Sequence, residues 1–381
     1  MPDARFASLL SRLHSGSCGP HESCVSADLR AEEAAALCVA LAAASSLTSL
    51  DLAGNLIGVE GALALAACLP HTQLKSLAVA DNVLLGRFLS DKERAYQAAS
   101  DGSTRPADCG GVTALLRATA ACALQRLDLS YNHLGDEGAA ALADAFACSG
   151  GSHGGLSLLL GFSKLTPAAA QRLAAALRRP CGGGRLALGA LDLRNNTLQA
   201  AGAAALARSL AVSPDDGATL AVARLSLMNN HVGIEGARAV AAALSRAPGS
   251  TCNPFLRELD LSSNCLGAGG VAALAPLLEN EGDGALGLHS LLLHRNNAGD
   301  EGTAALCVPL AKNTHLRQLR LSNNHVHSAG AMALAEALKC NAGLLRVDLT
   351  RNHFTTQDEH ALRAACAQHA ARELLLGHGP I

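Results

Sequence analysis

An asparagine returns at the same place after each short run of spaced leucines, and this regularity limits the fold more than any other feature. In residues 124–134, LQRLDLSYNHL, Leu127 and Leu129 alternate with polar residues, so one side of a short strand is apolar. Asn132 follows where the strand must turn, and its amide can bond backbone groups that a buried turn leaves without partners. Gly135 then begins a stretch whose apolar residues have the spacing of a helix.

The strand, the turn and the helix recur ten times from Leu47 onward. The turn position is occupied by Asn55, Asn82, Asn132, Ser163, Asn196, Asn230, Asn264, Asn296, Asn324 and Asn352, so only the fourth unit lacks asparagine. Where no loop is inserted, 28 residues separate one turn position from the next, as between Asn296 and Asn324. A repeat of this length predicts a solenoid, in which each unit packs only against its neighbours.

The pattern LxxLxLxxNxLxxxGAxxLAxxL resembles the ribonuclease-inhibitor class of leucine-rich repeats, the long kind with a full helix in each unit. This class includes the repeat arms of nucleotide-binding innate receptors, the Ran GTPase-activating protein and the C-terminal domain of tropomodulin. The resemblance implies an α/β fold, a right-handed horseshoe-shaped solenoid with parallel strands on the concave face and helices on the convex face. Members of the class share this architecture and differ in partner, so the resemblance does not assign a function.

The repeats divide the chain into three parts. Residues 1–46 precede the first full unit and show helix patterns, so we predict an N-terminal helical cap that covers the first repeat. Residues 47–354 hold the ten repeats. The pattern decays over residues 355–381, which we predict to be the C-terminal cap.

The second repeat is interrupted by an insertion near residues 86–110, because Asn82 and Asn132 are 50 residues apart. Residues 90–100 have the pattern of a short amphipathic helix, and a polar loop follows it. Long loops in compact folds often carry function. The insertion is therefore either a surface expansion or a docking arm, and the sequence leaves both interpretations open.

Charge and composition argue against several classes of partner. The formal net charge is −2, the aromatic content is 2% and tryptophan is absent. The chain thus lacks the strong positive charge and the stacking residues that are typical of nucleic-acid-binding proteins. No apolar run is long enough to span a bilayer, and we expect no membrane partner.

The cysteines indicate a reducing compartment. The 13 cysteines include no CxxC motif, and several lie within helix patterns, as expected of buried thiols. We therefore expect a cytoplasmic protein, with association with the cytoskeleton or a cilium as an option. Two alternatives concern the N-terminal region: a presequence around Arg5 and Arg12, and a disulfide between Cys18 and Cys24 in an exported protein.

Two sequence stretches match catalytic or cofactor-binding motifs, but the secondary structure predicted around them does not fit either motif. Residues 150–154 match GxSxG and residues 282–287 match GxGxxG. The first follows a helix and the second precedes a strand, opposite to the context that each motif requires. No Gly-Lys dipeptide is present, which excludes a P-loop. We predict that the protein is not an enzyme and has no catalytic residue, cofactor or small-molecule substrate.

Two histidines are the best candidates for metal ligands. His325 and His353 follow the turn position in adjacent repeats, so their side chains are expected within metal-bridging reach. Two histidines without a third ligand at a defined spacing are a weak signal. Solvent-facing loop histidines are the simpler interpretation, and we predict no metal site.

An exposed apolar patch is predicted where the repeats carry aromatic residues. Tyr131 and Phe162 each stand one residue before the turn position, on neighbouring strands. The patch is predicted to include Leu156, Leu159 and Met228. Exposed aromatic side chains often anchor protein interfaces. The alternative is that the irregular fourth repeat shifts in register and buries these groups.

The same face is predicted to turn basic toward the C-terminal repeats. The basic residues are His294, Arg295, Arg317, Arg320, Arg346 and Arg351. Asp51, Asp128, Asp192 and Asp260 share one column of the strands, with Asp348 at its far end. Such a gradient suits a protein partner with a complementary charge pattern.

The sequence thus predicts a non-catalytic scaffold or adaptor that binds one or more proteins through the concave face. One alternative is a structural subunit of a cytoskeletal or axonemal assembly, where repeats of the resembled class also occur. Another is a GTPase-activating regulator, which the chain supports poorly because it has no acidic tail and few polar groups near the first repeats. The partner itself is not encoded in the repeat pattern.

Overall fold

The computed structural model of the chain describes residues 3–85, 108–148, 155–178, 187–211, 221–245, 255–279, 286–369 and 371–377. The chain divides into two compact units: unit 1 is Met1–Leu165 with Arg179–Gly189, and unit 2 is Thr166–Arg178 with Ala190–Ile381. Most of the predicted insertion, with its candidate helix at 90–100, lies outside the described residues. The same holds for residues 150–154 and 282–285 of the two rejected motifs.

In unit 1 short strands alternate with helices. The strands are β1 (His21–Ser23), β2 (Ser49–Asp51), β3 (Ser76–Ala78), β4 (Arg126–Asp128) and β5 (Leu156–Leu159). The helices are α1 (Ala4–Ser15), α2 (Ala31–Ala43), α3 (Gly58–Cys68), α4 (Gly110–Ala118) and α5 (Gly135–Cys148), with 3-10 turns at Leu69–His71 and Thr119–Ala121. Each strand pairs in parallel with the next, and the register aligns the central leucines, as in Leu50 with Leu77 and Leu127 with Leu158.

Unit 2 repeats the same alternation. Its strands are β7 (Ala221–Ser226), β8 (Glu258–Asp260), β9 (Ser290–Leu292), β10 (Gln318–Arg320), β11 (Arg346–Asp348) and β12 (Glu373–Leu375). Its helices are α6 (Pro167–Arg178), α7 (Gln199–Leu210), α8 (Gly233–Leu244), α9 (Gly267–Ala272), α10 (Gly299–Lys312), α11 (Ser328–Cys340) and α12 (Thr356–Ala367), with a 3-10 turn at Ala275–Leu278. Strand β6 (Ala187–Asp192) contains the boundary between the units.

The α/β repeat fold that the spacing predicts is confirmed within each unit. Neighbouring strands are parallel, and each helix packs against the next helix along the chain. The leucines of the strands are buried, whereas most of the residues between them are half-buried or exposed; Asp192 and Asp348 are the buried exceptions among the described strands. Because a strand alternates its side chains, this pattern leaves one face of the sheet free of the leucine core. We call the side chains on that side, from the strands and from the turns after them, the strand face.

The turn asparagines form a hydrogen-bonded ladder that joins successive repeats. In unit 2 the side-chain oxygen of Asn264 accepts from the N–H of Asn230 at 2.8 Å, and its amide nitrogen donates to the carbonyl of Leu227 at 2.8 Å. Asn324 and Asn352 repeat the first of these bonds at 2.9 Å. The predicted role of the asparagine, bonding backbone groups of a buried turn, is therefore confirmed.

Glycine in the first turn of the helices permits close packing between repeats. At Gly302, a Cβ atom would lie 3.0 Å from the backbone oxygen of Ala268 in the preceding helix. Helices can approach this closely only where no side chain intervenes. The Gly-Ala pair at the start of the repeated helix pattern thus reflects contact between neighbouring helices.

The N-terminal region contains a strand that the sequence does not reveal. Strand β1 pairs with β2 and places Glu22 opposite Leu50. Arg12 of α1 reaches this carboxylate, with Nη2 2.6 Å from Oε2, and the Glu22 side chain is only 10% exposed. Glu22 stands where the other strands have their central leucine, and its ion pair with Arg12 joins α1 to β1 at this position.

A buried arginine, Arg372, binds backbone carbonyl groups in the C-terminal region. Arg372 is 8% exposed, and its guanidinium donates to the carbonyl oxygens of Leu344 at 3.0 Å and Leu338 at 2.7 Å, and to that of Asn341. Asn341 itself donates to the carbonyl of Leu310 in the preceding helix. Arg372 therefore provides hydrogen-bond partners for carbonyl oxygens at the end of helix α11 and in the turn after it.

Candidate functional site

Tyr131 and Phe162 form a stacked pair on the strand face of unit 1. Their ring centroids are 4.2 Å apart and their planes differ by 12°. The side chains are 45% and 38% exposed. We call these two residues the aromatic pair. It presents to solvent the kind of apolar surface that binding, rather than folding, would bury.

The backbone under the aromatic pair is in the left-handed region. The φ angles are 61° at Tyr131 and 53° at Phe162, and the N–H of Tyr131 donates to the carbonyl of Gly161 at 2.9 Å. Asparagine adopts this conformation more readily than an aromatic residue. The same position holds Asn195, Asn229 and Asn323 in other repeats, all with positive φ. A positive φ at this position is common to the repeats, so it is a property of the turn and not of the aromatic residues alone.

The alternative of a shifted and buried fourth repeat is wrong. Strand β5 pairs with β4 in the same register as the other strands of unit 1, with Leu127 opposite Leu158. Ser163 occupies the turn position and is fully buried, like the asparagines elsewhere. The serine replaces the asparagine without moving the aromatic residue before it into the core.

The surroundings of the aromatic pair differ in part from the prediction. Leu159 lies half-buried opposite Asp128 and faces the same side of the sheet. Leu156, expected in the exposed patch, is fully buried because strand β5 begins at this residue and directs it inward with Leu158. Asp81 is exposed in the adjoining turn, where its N–H donates to Ser130. The patch in unit 1 is thus smaller than predicted and has a carboxylate at its border.

Met228 belongs to unit 2. Its side chain is half-buried, and its carbonyl accepts from the backbone of Asn195 at 2.8 Å and from the amide of Asn230 at 3.1 Å. The neighbouring Asn195 and Asn229 side chains bond each other at 2.7 Å. Met228 therefore lies in a polar stretch of the strand face of unit 2.

Several of the predicted basic residues already have partners within the chain. Arg320 pairs with Asp348 at 3.0 Å and Arg346 with Glu373 at 3.5 Å. Arg317 donates to the carbonyl oxygens of Gly343 and Thr314. In the acidic column, Asp128 and Asp192 pair likewise with Arg126 and Arg194. The charge gradient is therefore smaller than the count of charged residues implies.

Arg295 and Arg351 differ from these arginines in their surroundings. Both are exposed, and in the part of unit 2 that the structure describes neither forms a side-chain hydrogen bond or ion pair. Asn323 occupies the same position in the repeat between them. His294 adds little charge, because burial and the nearby Arg320 lower its pKa, and its ring nitrogen Nδ1 bonds Ser322.

His325 and His353 lie together, as the spacing predicts. His325 Nδ1 is 3.2 Å from His353 Nε2. His327, which the sequence analysis did not single out, stacks on His353 with centroids 4.8 Å apart. The sequence signal that could have identified His327 is its position two residues beyond His325. Within the described ranges, no group of three or more His, Cys, Asp or Glu residues is arranged to hold a metal ion.

None of the helices in the described part of the chain is both long and apolar enough to cross a membrane.

Comparison with known proteins gives a repeat family and similar solved structures. A family model described as Leucine Rich repeat matches residues 43–66, 121–143, 188–207, 252–275 and 312–335. No curated protein matches the sequence.

Three solved structures are similar in part. The leucine-rich repeat-containing protein LegL7 from Legionella pneumophila is 17% identical over 85% of this chain and 92% of its own, with a TM-score of 0.47. The leiomodin-1 actin-binding site 2 is 18% identical over 44% of this chain and 87% of its own, with a TM-score of 0.33. The tropomodulin C-terminal domain from Caenorhabditis elegans is 18% identical over 38% of this chain and 82% of its own, with a TM-score of 0.31. Identities of this size do not carry a function from one protein to another.

Proposed function

Because the chain is a leucine-rich-repeat protein, we propose that it is a non-catalytic scaffold that binds one or more proteins through the strand face of unit 1. The exposed stacked aromatic pair is the observation that carries this proposal. Aromatic residues at the centre of an interface supply a large share of its binding energy at low entropic cost. Leu159 and Asp81 would then form the border of the contact.

The strand face of unit 2 is proposed as a second contact region. Arg295 and Arg351 are exposed cations on either side of Asn323. A guanidinium binds a carboxylate through two parallel hydrogen bonds, so acidic side chains of a protein partner suit this region. His294, Arg317, Arg320, Arg346 and Met228 support the region mainly through contacts within the chain. We expect neither nucleic acid, nor membrane, nor a small-molecule substrate as partner.

The compartment is proposed to be the cytoplasm. Cys18 and Cys24, which an exported protein would have to pair, are both buried and unbridged. Free buried thiols are typical of proteins in reducing compartments.

Affinity capture with matched variants tests the proposal. The double variant Tyr131→Asn, Phe162→Asn introduces the residue that three other repeats carry at the same left-handed position, so the fold should be retained. We expect the partners captured by the wild-type protein to be reduced about tenfold or more, because hot-spot residues contribute roughly 2 kcal/mol each. The double variant Arg295→Asn, Arg351→Asn should reduce capture of acidic partners by a smaller factor.

The control is Val39→Ser, which removes an apolar side chain that is 74% exposed on helix α2. It should leave capture unchanged, and all variants should unfold at nearly the wild-type temperature. If Val39→Ser lost the same partners as the aromatic variant, or if neither lost any, the strand face of unit 1 would not be the binding face.

A further inference from the structure

Three exposed histidines meet at one edge of unit 2. His325 Nδ1 lies 3.2 Å from His353 Nε2, the two rings have centroids 5.4 Å apart, and His327 stacks on His353 at 4.8 Å. We call these residues the histidine cluster. All three are exposed in the structure, and the protein-binding role proposed above does not use them.

The repeat itself brings the cluster together. His325 and His353 occupy the position after the ladder asparagine in adjacent repeats, and Asn324 donates its N–H to the side chain of Asn352 at 2.9 Å. The N–H of His353 also donates to the carbonyl of Val326 at 2.8 Å. Because equivalent residues of neighbouring repeats lie about 4.8 Å apart, the two imidazoles face each other without any special loop. The backbone that presents them is fixed by buried hydrogen bonds.

The distance between the two ring nitrogens matches the edge of a metal coordination sphere. In a tetrahedral site with zinc–nitrogen bonds of about 2.0–2.1 Å, two ligand nitrogens lie roughly 3.3–3.4 Å apart. Imidazole is a preferred ligand of Zn²⁺ and Cu²⁺. From this geometry, we propose that His325 Nδ1 and His353 Nε2 form a two-histidine site for a late first-row divalent metal ion.

Binding requires a change of tautomer and a rotation of the two rings, because nitrogens that share a hydrogen bond point at each other and not at a common metal ion. At 3.2 Å one ring donates its N–H to the other. When the donating ring moves that proton to its second nitrogen, both facing nitrogens present lone pairs to the metal ion. No oxidant or other reactant is needed, and water completes the coordination.

The surroundings indicate an open, exchangeable site. The nearby Asp300 carboxylate uses Oδ1 to accept from the N–H groups of His327 and Gly330, at 2.7 and 3.0 Å. That oxygen is thus engaged at the start of helix α11. His327 holds the ring of His353 by stacking, and we assign it a positioning role. With two protein ligands the metal ion retains free coordination positions, through which a partner's histidine or carboxylate can add.

Calorimetric titration of the full chain with ZnCl₂ and with CuCl₂ tests the site. We expect one equivalent of each ion to bind, with Cu²⁺ tighter than Zn²⁺. His325→Asn introduces the residue that stands at this position in the preceding repeat, Asn297, whose φ of 55° matches the 56° of His325. This variant and His353→Asn should each weaken binding about tenfold or more, equivalent to about 1.4 kcal/mol. His327→Gln should weaken it less.

The matched control is His315→Asn, which alters an exposed histidine of the same unit outside the cluster. It should bind both ions like the wild-type protein. Imidazole NMR signals of the wild-type protein provide a second readout that needs no variant: substoichiometric Zn²⁺ should shift the His325 and His353 signals and leave the His315 signal in place. The proposal would be overturned by unshifted His325 and His353 signals, or by equal losses in the control and in His325→Asn.

Discussion

Asn264 illustrates how a single side chain connects two neighbouring repeats. Its oxygen accepts from the N–H groups of Asn230 and Val232, and its nitrogen donates to the carbonyls of Leu227 and Leu261. The side chain is fully buried, so none of these backbone groups can turn to water when the asparagine is removed. A buried donor or acceptor left without a partner costs more than the hydrogen bond itself contributes.

We therefore expect Asn264→Ala to lower the free energy of unfolding by about 2–4 kcal/mol. The measurement is urea unfolding followed by circular dichroism. The control is Asn323→Gly, which changes a half-buried asparagine and keeps a residue that accepts its φ of 53°; it should cost less than about 1 kcal/mol. Equal losses in the two variants would mean that the ladder does not stabilise the turns.

At the residue scale, the sequence analysis predicts the features that recur in every repeat, but it misses individual side-chain contacts. The asparagine ladder, the buried leucines and the exposed positions of Tyr131 and Phe162 follow from the repeat alone. The ion pair between Arg320 and Asp348 was not predicted, although these residues are 28 positions apart, the same spacing that predicts the contact between His325 and His353. The buried Arg372 is likewise invisible, since nothing in the sequence separates it from a solvated arginine.

Among the elements, β1 shows where the repeat pattern fails. Glu22 stands opposite Leu50, and Ala27 donates its N–H to Asn55 where a repeat would have its own turn asparagine. Neither residue fits the leucine pattern, so the sequence analysis predicted only helices in this region. The strand forms nevertheless because β2 offers an unpaired edge and α1 supplies Arg12 for the carboxylate.

The ion pair predicts a pH dependence of stability. The hydrogen bond from Arg12 lowers the pKa of Glu22, and the N–H of Gly19 acts in the same direction. A carboxyl whose pKa is lower in the folded state stabilises the fold above its unfolded pKa of about 4.3, and this contribution is lost as the pH falls through the folded value. Glu22→Gln should thus lower the free energy of unfolding at pH 7 by about 1–3 kcal/mol, and the difference from wild type should shrink below about pH 4.

Denaturant unfolding at pH 7 and at a series of acid pH values checks this expectation. Glu235→Gln is the control, because Glu235 and Arg238 form an ion pair whose side chains are 75% and 60% exposed. Such pairs contribute little, so this variant should match the wild type throughout. A Glu22→Gln deficit that persisted unchanged into acid would show that lost packing, rather than the carboxylate charge, causes the effect.

For the whole molecule, the recurring residues account for the fold, and the candidate binding surface consists of residues that differ between repeats. The site candidates stand at positions that vary from repeat to repeat: the aromatic pair and two arginines before the turn position, and the histidines after it. Their exposure could be predicted from strand alternation, because equivalent positions face the same side in every repeat. The same alternation also accounts for the burial of Leu156, which stands two residues before the buried Leu158, so the expectation of an exposed Leu156 was wrong.

The most direct test of the central claim is site-specific photo-crosslinking. Benzoylphenylalanine at Ala80, on the strand face in the turn next to Tyr131, should crosslink to partner proteins in cells. The same group at Val39, on helix α2, should give no such products. The Tyr131→Asn, Phe162→Asn background should abolish the Ala80 crosslinks. Crosslinks from position 39 alone would contradict binding through the strand face of unit 1. Ala80 crosslinks that persist without the aromatic pair would contradict the role of that pair.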